Sequence, residues 1–225
     1  IKGKKRWCLW LKNASPSEIK KSKILYNKVM AVRDFRLSSK AKTTNGYAKV
    51  PHLFAQITQP DNADYLIIPS VSSERRKYIP IGFLTSNTIS SNAVQIVPFA
   101  TLYHFGVLTS NVHMAWMRTV AGRLKSDYRY SKEIVYNTFP WCTPTPEQKA
   151  KIEKTAQMIR DARALYPDSS LADLYDELTM PPELRKAHQA NDRAVMEAYG
   201  FWGKLNTESE CVAELMKMYQ RLTEK

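Results

Sequence analysis

The stretch Gly122–Ser131, GRLKSDYRYS, is the most informative part of this chain about its role; it follows a predicted helix and leads into Tyr136–Trp141, YNTFPW. In an extended backbone, successive side chains point to opposite faces. We therefore expect Lys125, Asp127 and Arg129 to project together from one face, while the residues between them face away. This row would place two hydrogen-bond donors on either side of one acceptor.

Such a row matches the groups that DNA base pairs present in the major groove. Lys or Arg suits the N7 and O6 acceptors of guanine, and a carboxylate accepts a hydrogen bond from the amino group of cytosine. Lys125 and Asp127 could thus bind a single base pair together. Charged triplets are also common in solvated loops with a local ion pair, so residue types alone leave both interpretations open.

The positive charge of the chain is confined to its first part. Residues 1–145 contain 22 Lys and Arg against 7 Asp and Glu, whereas residues 146–225 contain 12 against 14. A one-sided positive field favours a polyphosphate partner, because each neutralised phosphate releases condensed counterions. Charge kept only for solubility would be spread along the chain. The distribution therefore indicates a nucleic acid as the partner of residues 1–145.

The apolar pattern predicts an α+β fold, in which a mixed or antiparallel sheet with helices (residues 1–145) is followed by a small all-helical unit (residues 146–225). With 225 residues and 44% hydrophobic content, the chain can bury a sizeable core. Short apolar runs broken by Pro, Gly, Asn and Ser predict strands in the first part. These runs are Trp7–Leu11, Tyr65–Pro69, Tyr78–Leu84 and Ala93–Val97.

Helices are predicted from capping residues and apolar stripes. A basic helix should begin near Ser15 or Ser17, and another should begin after Ser110 and end at Gly122, just before the extended row. The lysines of the basic helix fit phosphate binding and a solvated helix face equally well. Apolar residues at helical spacing predict four helices in the last part. They are Gln148–Leu165, Leu171–Leu178, Glu183–Tyr199 and Glu208–Glu224.

A hydroxyl-rich and cationic connection, Ser72–Lys77, joins two of the predicted strands. Hydroxyl groups and the cations of Arg and Lys are the side chains that bind the phosphates and sugars of DNA. A polar loop without a ligand is the alternative interpretation. The candidate contacts to the DNA backbone are Ser72, Ser73, Arg75, Arg76, Lys77, Arg123 and Ser126.

Catalytic and cofactor-binding motifs are not found. A dinucleotide or S-adenosylmethionine site needs a Gly-rich turn after a strand, and the seven glycines are scattered. The basic part holds no catalytic set of His, carboxylate and nucleophile. Cys8, Cys142 and Cys211 lie far apart, and the four His residues form no metal-ligand pair. We expect no catalytic residue, metal or cofactor in this chain.

The sequence also predicts a cytoplasmic protein without a membrane span. No apolar run approaches the roughly 18 to 20 residues that cross a bilayer, and the start, IKGKKR, lacks the hydrophobic core of a signal peptide. Because the chain does not begin with Met, we expect it to be part of a longer polypeptide.

Several motifs together resemble the C-terminal target-recognition region of the MmeI-like group, which comprises bacterial single-chain restriction-modification enzymes and DNA adenine methyltransferases. The resemblance covers nearly the whole chain. It is carried by Ser72–Pro80, by Phe105–Leu108 through Met114–Trp116, and by Gly122–Ser131, Tyr136–Trp141 and Leu178–Arg185.

The resemblance implies a sequence-specific module for double-stranded DNA, with a helical C-terminal extension. It also implies an upstream S-adenosylmethionine-binding domain that methylates adenine N6 and carries an Asn/Asp-Pro-Pro-aromatic motif. That motif is absent here, since Met180–Glu183 lacks both the amide and the aromatic residue. In the family, the positions of Lys125 and Asp127 choose one base pair, and those of Ala93 and Arg129 choose another. The implied partners are DNA and the upstream methyltransferase domain.

Two other functions fit parts of the sequence. The 24 aromatic residues could stack on the bases of RNA or of single-stranded nucleic acid, although most lie in apolar runs where core packing accounts for them better. The helical tail could instead mediate protein–protein assembly.

Overall fold

The chain forms two compact units. The computed structural model describes residues 6–58 and 60–224, and we call these ranges the N-terminal unit and the main unit. Residues 1–5 lie outside the described residues. They belong to the IKGKKR start, for which the sequence predicts no signal peptide. The predicted domains 1–145 and 146–225 were defined by a change in amino-acid composition, whereas the two units are defined by their internal contacts. The predicted boundary near residue 145 therefore stays a prediction.

The N-terminal unit is built from short helices, which are α1 (Pro16–Lys21), α2 (Lys23–Leu37), α3 (Lys42–Gly46) and a 3₁₀ turn at Tyr47–Lys49. Ser15 caps α1, and the carboxylate of Glu18 accepts a hydrogen bond from the Ser15 N–H. The Ser22 hydroxyl accepts a hydrogen bond from the N–H of Leu25 and begins α2. The one basic helix predicted from the sequence is therefore two helices.

The guanidinium of Arg36 holds irregular backbone against α2. It donates hydrogen bonds to the carbonyl oxygens of Tyr47 (2.9 Å), Val50 (3.1 Å) and Leu53 (2.8 Å). The predicted strand Trp7–Leu11 is wrong for this structure, because a strand needs a neighbouring strand and no described strand pairs with these residues.

The main unit contains six short strands, which are β1 (Tyr65–Pro69), β2 (Val71–Ser72), β3 (Gly82–Leu84), β4 (Val94–Pro98), β5 (Gly122–Leu124) and β6 (Asp127–Arg129). They form two antiparallel sheets with the orders β3–β1–β4 and β2–β6–β5. The predicted α+β class is confirmed. The predicted strand Tyr78–Leu84 is confirmed only for its last residues, because Pro80 has no N–H to donate to a ladder.

Helices fill the rest of the main unit, and they are α4 (Leu102–Leu108), α5 (Asn111–Val120), α6 (Pro146–Ala164), α7 (Leu171–Leu174), α8 (Pro182–Ala198) and α9 (Glu208–Thr223). The Ser110 hydroxyl caps α5 as predicted. The four predicted C-terminal helices are present, although α7 ends four residues earlier than expected. Within the described part of the chain, no helix is both long and apolar enough to cross a membrane.

One core runs through the main unit without a break at residue 145. Helix α4 packs against α6 and α8, and the approach is closest at Gly106. A Cβ at this position would lie 2.6 Å from Ile152 Cγ2 and 3.0 Å from Asn191 Oδ1. The amide of Asn191 donates a hydrogen bond of 2.8 Å to the Gly106 carbonyl. The C-terminal helices thus support the elements that carry the candidate site.

Candidate nucleic-acid interface

The stretch Gly122–Ser131 contains a β-hairpin and not one extended segment. Strands β5 and β6 pair antiparallel, with Gly122 opposite Arg129 and Leu124 opposite Asp127. Lys125 and Ser126 form the two-residue loop, and Lys125 has a φ of 57°. A positive φ at only the first loop position is the pattern of a type II′ turn. A positive φ is unusual for a residue other than Gly, Asn or Asp, so this turn has no local signal in the sequence.

The hairpin corrects the predicted row of three side chains. Asp127 and Arg129 share one face of β6, whereas Tyr128 between them is buried on the other face. Lys125 extends from the turn that the Leu124–Asp127 pair closes. Among the described residues, the side chains of Lys125, Asp127 and Arg129 make no hydrogen bond or ion pair with one another or with other groups. Their polar atoms are therefore available to a ligand.

Two tyrosines fix β6 to the core. Tyr128 and Tyr130 are buried, and the Tyr130 hydroxyl lies 3.0 Å from Nε2 of His113 on α5. Complete burial lowers the pKa of His113 to about 3, so its ring is neutral at physiological pH. The face that carries Asp127 and Arg129 is thereby held on a rigid support, as precise contacts to bases require.

Arg123 is an exposed residue of β5 that braces the hairpin through its guanidinium. Its guanidinium carbon lies 3.8 Å from the centre of the Tyr128 ring, and Nη1 donates a 2.9 Å hydrogen bond to the Ser126 carbonyl. The same nitrogen lies 3.9 Å from a carboxylate oxygen of Glu74. Arg123 was predicted to bind the DNA backbone; in this structure Nη1 helps to shape the turn, and the contact with DNA stays a prediction.

A single residue, Ser70, brings Ala93 close to Arg129. Its N–H donates to the Ala93 carbonyl at 2.9 Å, and its own carbonyl accepts from the N–H of Tyr130 at 2.9 Å. The next residue, Val71, lies opposite Arg129 in the second sheet. Ala93 is exposed. Ala93 and Arg129, which are far apart in sequence, therefore lie on either side of the Ser70–Val71 crossing between the two sheets.

The connection Ser72–Lys77 lies next to the hairpin. Arg75 and Lys77 are exposed and Arg76 is half-buried, whereas Ser72 is only 3% exposed. The Ser72 hydroxyl lies below the surface and has no hydrogen-bond partner among the described residues, so its predicted contact with a phosphate is not possible in this conformation. Ser73 remains near the surface, where its hydroxyl accepts a 3.4 Å hydrogen bond from the N–H of Arg75.

A polar cleft of about 590 Å³ opens between this connection and the hairpin turn. The C-terminal helical region forms its third wall through the loop after α7. Its lining residues are Ser73, Glu74, Arg75, Arg76, Ser126, Asp127, Asp176, Glu177 and Leu178. The described residues contain no group of three or more His, Cys, Asp or Glu side chains arranged to hold a metal ion.

A buried carboxylate ties these elements to α8. Asp192 accepts hydrogen bonds from the Tyr78 hydroxyl (2.6 Å) and from the N–H of Asn111 at the start of α5 (2.8 Å). Burial raises the pKa of Asp192 to about 6, and the two hydrogen bonds oppose this increase. Asp192 therefore links the end of the Ser72–Lys77 connection to the helix that precedes the hairpin.

Comparison with known protein families covers the whole chain. A model described as the MmeI target recognition domain matches residues 1–143, and a model described as the MmeI C-terminal domain matches residues 144–225. The chain belongs to the MmeI family. This membership confirms the resemblance that its motifs indicated.

Two relatives of this MmeI-family chain are much longer than it is. DNA methyltransferase A of Bacillus subtilis (strain 168) is 38% identical over all 225 residues, which make up 25% of that protein. The structure of the type IIL restriction-modification enzyme MmeI in complex with DNA superposes with a TM-score of 0.92 and 50% identity. That match covers 97% of this chain and 29% of the MmeI chain. The chain thus spans between a quarter and a third of the length of these relatives.

The sequence analysis missed the residues that position the site residues through contacts of their own. Ser70 and Asp192 belong to none of the motifs, and Glu74 lies in the Ser72–Lys77 connection but was not singled out; each acts through a partner distant in sequence. Tyr128 was expected only to face away from Lys125, Asp127 and Arg129, whereas its ring also packs against the guanidinium of Arg123. The alternation of tyrosine with charged residues was the one signal available for this role.

Proposed function

We propose that this chain is the part of a longer bacterial restriction-modification enzyme that recognises the DNA target, and that the β5–β6 hairpin contacts the bases of double-stranded DNA. The observation that carries the proposal is the group of three unpaired side chains, Lys125, Asp127 and Arg129, on a firmly supported hairpin. The net positive charge of residues 1–145 supports it further. So does the relative MmeI, whose structure was determined in complex with DNA.

Lys125 and Asp127 read one base pair in this proposal. The ammonium of Lys125 donates to guanine N7 or O6, and the carboxylate of Asp127 accepts from the amino group of the opposing cytosine. Their placement on opposite sides of Ser126, at the end of the hairpin, suits two bases of a single pair. A wrong base pair at this position should cost about 1 to 3 kcal/mol.

Arg129 and Ala93 read a second position. The guanidinium of Arg129 donates to the N7 of a purine, and the small side chain of Ala93 leaves room for that base. The proposal is supported by the Ser70–Val71 crossing, because Ala93 and Arg129 lie on its two sides. In selection from a pool of random duplexes, Ala93→Leu should change the preference at this position and leave the Lys125 position unchanged. An unaltered preference at both positions would contradict the pairing of Ala93 with Arg129.

Contacts to the DNA backbone come from the connection beside the hairpin. Arg75 and Lys77 are exposed cations, and Ser73, Arg76 and Ser126 line the cleft at its edge. Such contacts position the protein on the duplex but carry no sequence information. Arg123 contributes indirectly, by fixing the turn from which Lys125 projects.

The longer protein contributes the chemistry. We infer that an upstream domain binds S-adenosylmethionine and methylates the N6 of an adenine within the recognised sequence, as the family resemblance implies. The name of the Bacillus subtilis relative, DNA methyltransferase A, supports a methyltransferase as the parent protein. In this proposal the present chain holds no cofactor and determines where the upstream domain acts.

Competition binding tests the proposal against the two other functions. The chain is bound to a labelled pool of random duplex DNA and challenged with equal lengths of duplex, single-stranded DNA and RNA over a series of salt concentrations. We expect duplex DNA to compete best and affinity to fall steadily with salt. Better competition by RNA or single strands would favour a single-strand binding module, and the absence of nucleic-acid binding would favour an assembly module.

A further inference from the structure

The N-terminal unit buries little of its apolar surface. Ile19, Val29 and Ala48 are its only buried hydrophobic side chains among the described residues, and all others belong to the main unit. More than half of the large exposed hydrophobic side chains of the described chain nevertheless lie in this smaller unit. A soluble protein rarely exposes so much apolar surface unless another protein surface covers it.

One face of α2 carries much of this exposed surface. Ile24 is 74% exposed, Phe35 is 72% exposed and Val32 is 39% exposed. Ile24 and Phe35 are eleven residues apart, which is about three helical turns, so they lie along one line of the helix. Val29, the buried residue of α2, points to a different side. The outer face of the helix is therefore an apolar stripe, which one exposed cation, Lys28, interrupts.

A groove continues this apolar surface toward the Trp7–Leu11 segment. It has a volume of about 490 Å³, and its lining includes Leu9, Leu11, Val32 and Phe54. The Trp10 ring packs on Phe54 with 5.4 Å between ring centres, whereas Trp7 is 97% exposed. Aromatic and apolar side chains thus extend from the groove along the segment.

The backbone of Trp7–Trp10 lacks partners in the described part of the chain. No hydrogen bond joins its N–H or carbonyl groups to other described residues. The sequence WCLWL is nevertheless typical of a strand, and it is apolar on both of its alternating sides. Unpaired backbone groups in such a sequence pair readily with the open edge of a sheet.

We infer that the N-terminal unit is a docking surface for the methyltransferase domain of the longer polypeptide, and that Trp7–Leu11 adds as a strand to the edge of that domain's sheet. The inference rests on the proposed function. The choice of partner follows from the relatives, in which about three quarters of the length lies outside the part that this chain matches. The apolar stripe of α2 and the adjoining groove pack against the same domain.

Hydrogen exchange tests the added strand directly. The amides of Trp7–Trp10 are compared in the isolated chain and in the full-length parent protein. We expect fast exchange in the isolated chain and exchange at least about 100-fold slower in the full-length protein, because strand pairing protects the amides. Equal exchange in the two proteins would overturn the inference. Protection already present in the isolated chain would also overturn it, since the chain would then cover this segment itself.

A double variant tests the stripe of α2. Ile24→Ser with Phe35→Ser changes two exposed side chains, so the isolated chain should unfold at the wild-type temperature and bind duplex DNA as before. In the full-length protein, the same pair should lower DNA methylation at least about 100-fold, because two apolar side chains are no longer buried at the interface. Leu222→Ser changes an apolar side chain on α9 that is 61% exposed, and it should leave both properties unchanged.

These measurements separate the inference from the proposed function. Wild-type methylation by the full-length double variant, with normal DNA binding by the isolated chain, would overturn the docking surface and leave DNA recognition standing. Loss of DNA binding by the isolated double variant would also overturn it, because α2 would then contact DNA. Dimerisation of the isolated chain that the double variant abolishes would identify a second copy as the partner and would overturn the inference as well.

Discussion

The substitution Asp192→Asn should remove a pH dependence from the stability of the main unit. The Asp192 carboxylate is buried between Tyr78 and Asn111, and burial raises its pKa from 3.8 to about 6. A carboxyl group with a raised pKa in the folded state favours folding in its protonated form. Its stabilising contribution is complete below pH 3.8 and is lost as the pH rises through about 6.

The size of the effect follows from the shift in pKa. The difference between 3.8 and about 6 corresponds to about 3 kcal/mol, at 1.36 kcal/mol per pH unit, of which about 2 kcal/mol falls between pH 4 and 7.5. Asn at this position can accept a hydrogen bond from the Asn111 N–H and donate one to the Tyr78 oxygen without carrying a charge. The variant should therefore gain stability relative to the wild type as the pH rises.

Urea unfolding at several pH values between 4 and 7.5 measures this difference. The free energy of unfolding of the wild type, minus that of Asp192→Asn, should fall by about 2 kcal/mol across the range. Asp168→Asn, at an exposed position, is the matched control and should show the wild-type profile. A wild-type advantage that stays constant with pH, or that grows as the pH rises, would refute the reasoning.

Three further predictions follow from the contacts described above. Gly106→Ala should lower the free energy of unfolding in urea melts by about 1 to 3 kcal/mol, because the added Cβ would lie 2.6 Å from a packed atom of Ile152. The control Gly122→Ala should cause no such loss, because its added Cβ has no neighbouring atom within 4 Å. Arg75→Gln should reduce the slope of log affinity against log salt by about 0.9, as expected for one lost phosphate contact, and Lys154→Gln on α6 should leave the slope unchanged. Arg123→Ala should reduce the ratio of specific to non-specific DNA affinity about tenfold, with little change in the affinity for random duplexes. The reason is that the variant loses both the contact with the Tyr128 ring and the hydrogen bond to the Ser126 carbonyl. An equal loss on specific and random duplexes would show that this arginine contacts phosphates.

The sequence was sufficient for the elements whose signals are local. Ser110 predicted the start of α5 because an N-cap acts within one turn of helix. The apolar stripe of α8 predicted that helix within one residue at each end. The antiparallel strands β1 and β4 were predicted because each is a short apolar run between breakers.

The candidate site depends on contacts that the sequence does not reveal. A hairpin turn usually carries Gly or Asn, and here Lys125 adopts the left-handed conformation instead, so the turn was taken for extended backbone. The burial of Ser72 follows from its pairing opposite Tyr128, which is distant in sequence. The two units were not predicted either, because the N-terminal unit differs from the main unit in packing more than in composition.

The base preference of the chain provides the most direct test of its central claim. The double substitution Lys125→Glu with Asp127→Arg exchanges donor and acceptor at the hairpin turn, and the bound sequences are then selected from a library of random duplexes. We expect one G·C pair of the wild-type target to become C·G in the variant, with every other position unchanged and the wild-type base pair disfavoured by about 1 to 3 kcal/mol. Selection of the unaltered wild-type sequence by the variant would contradict the account.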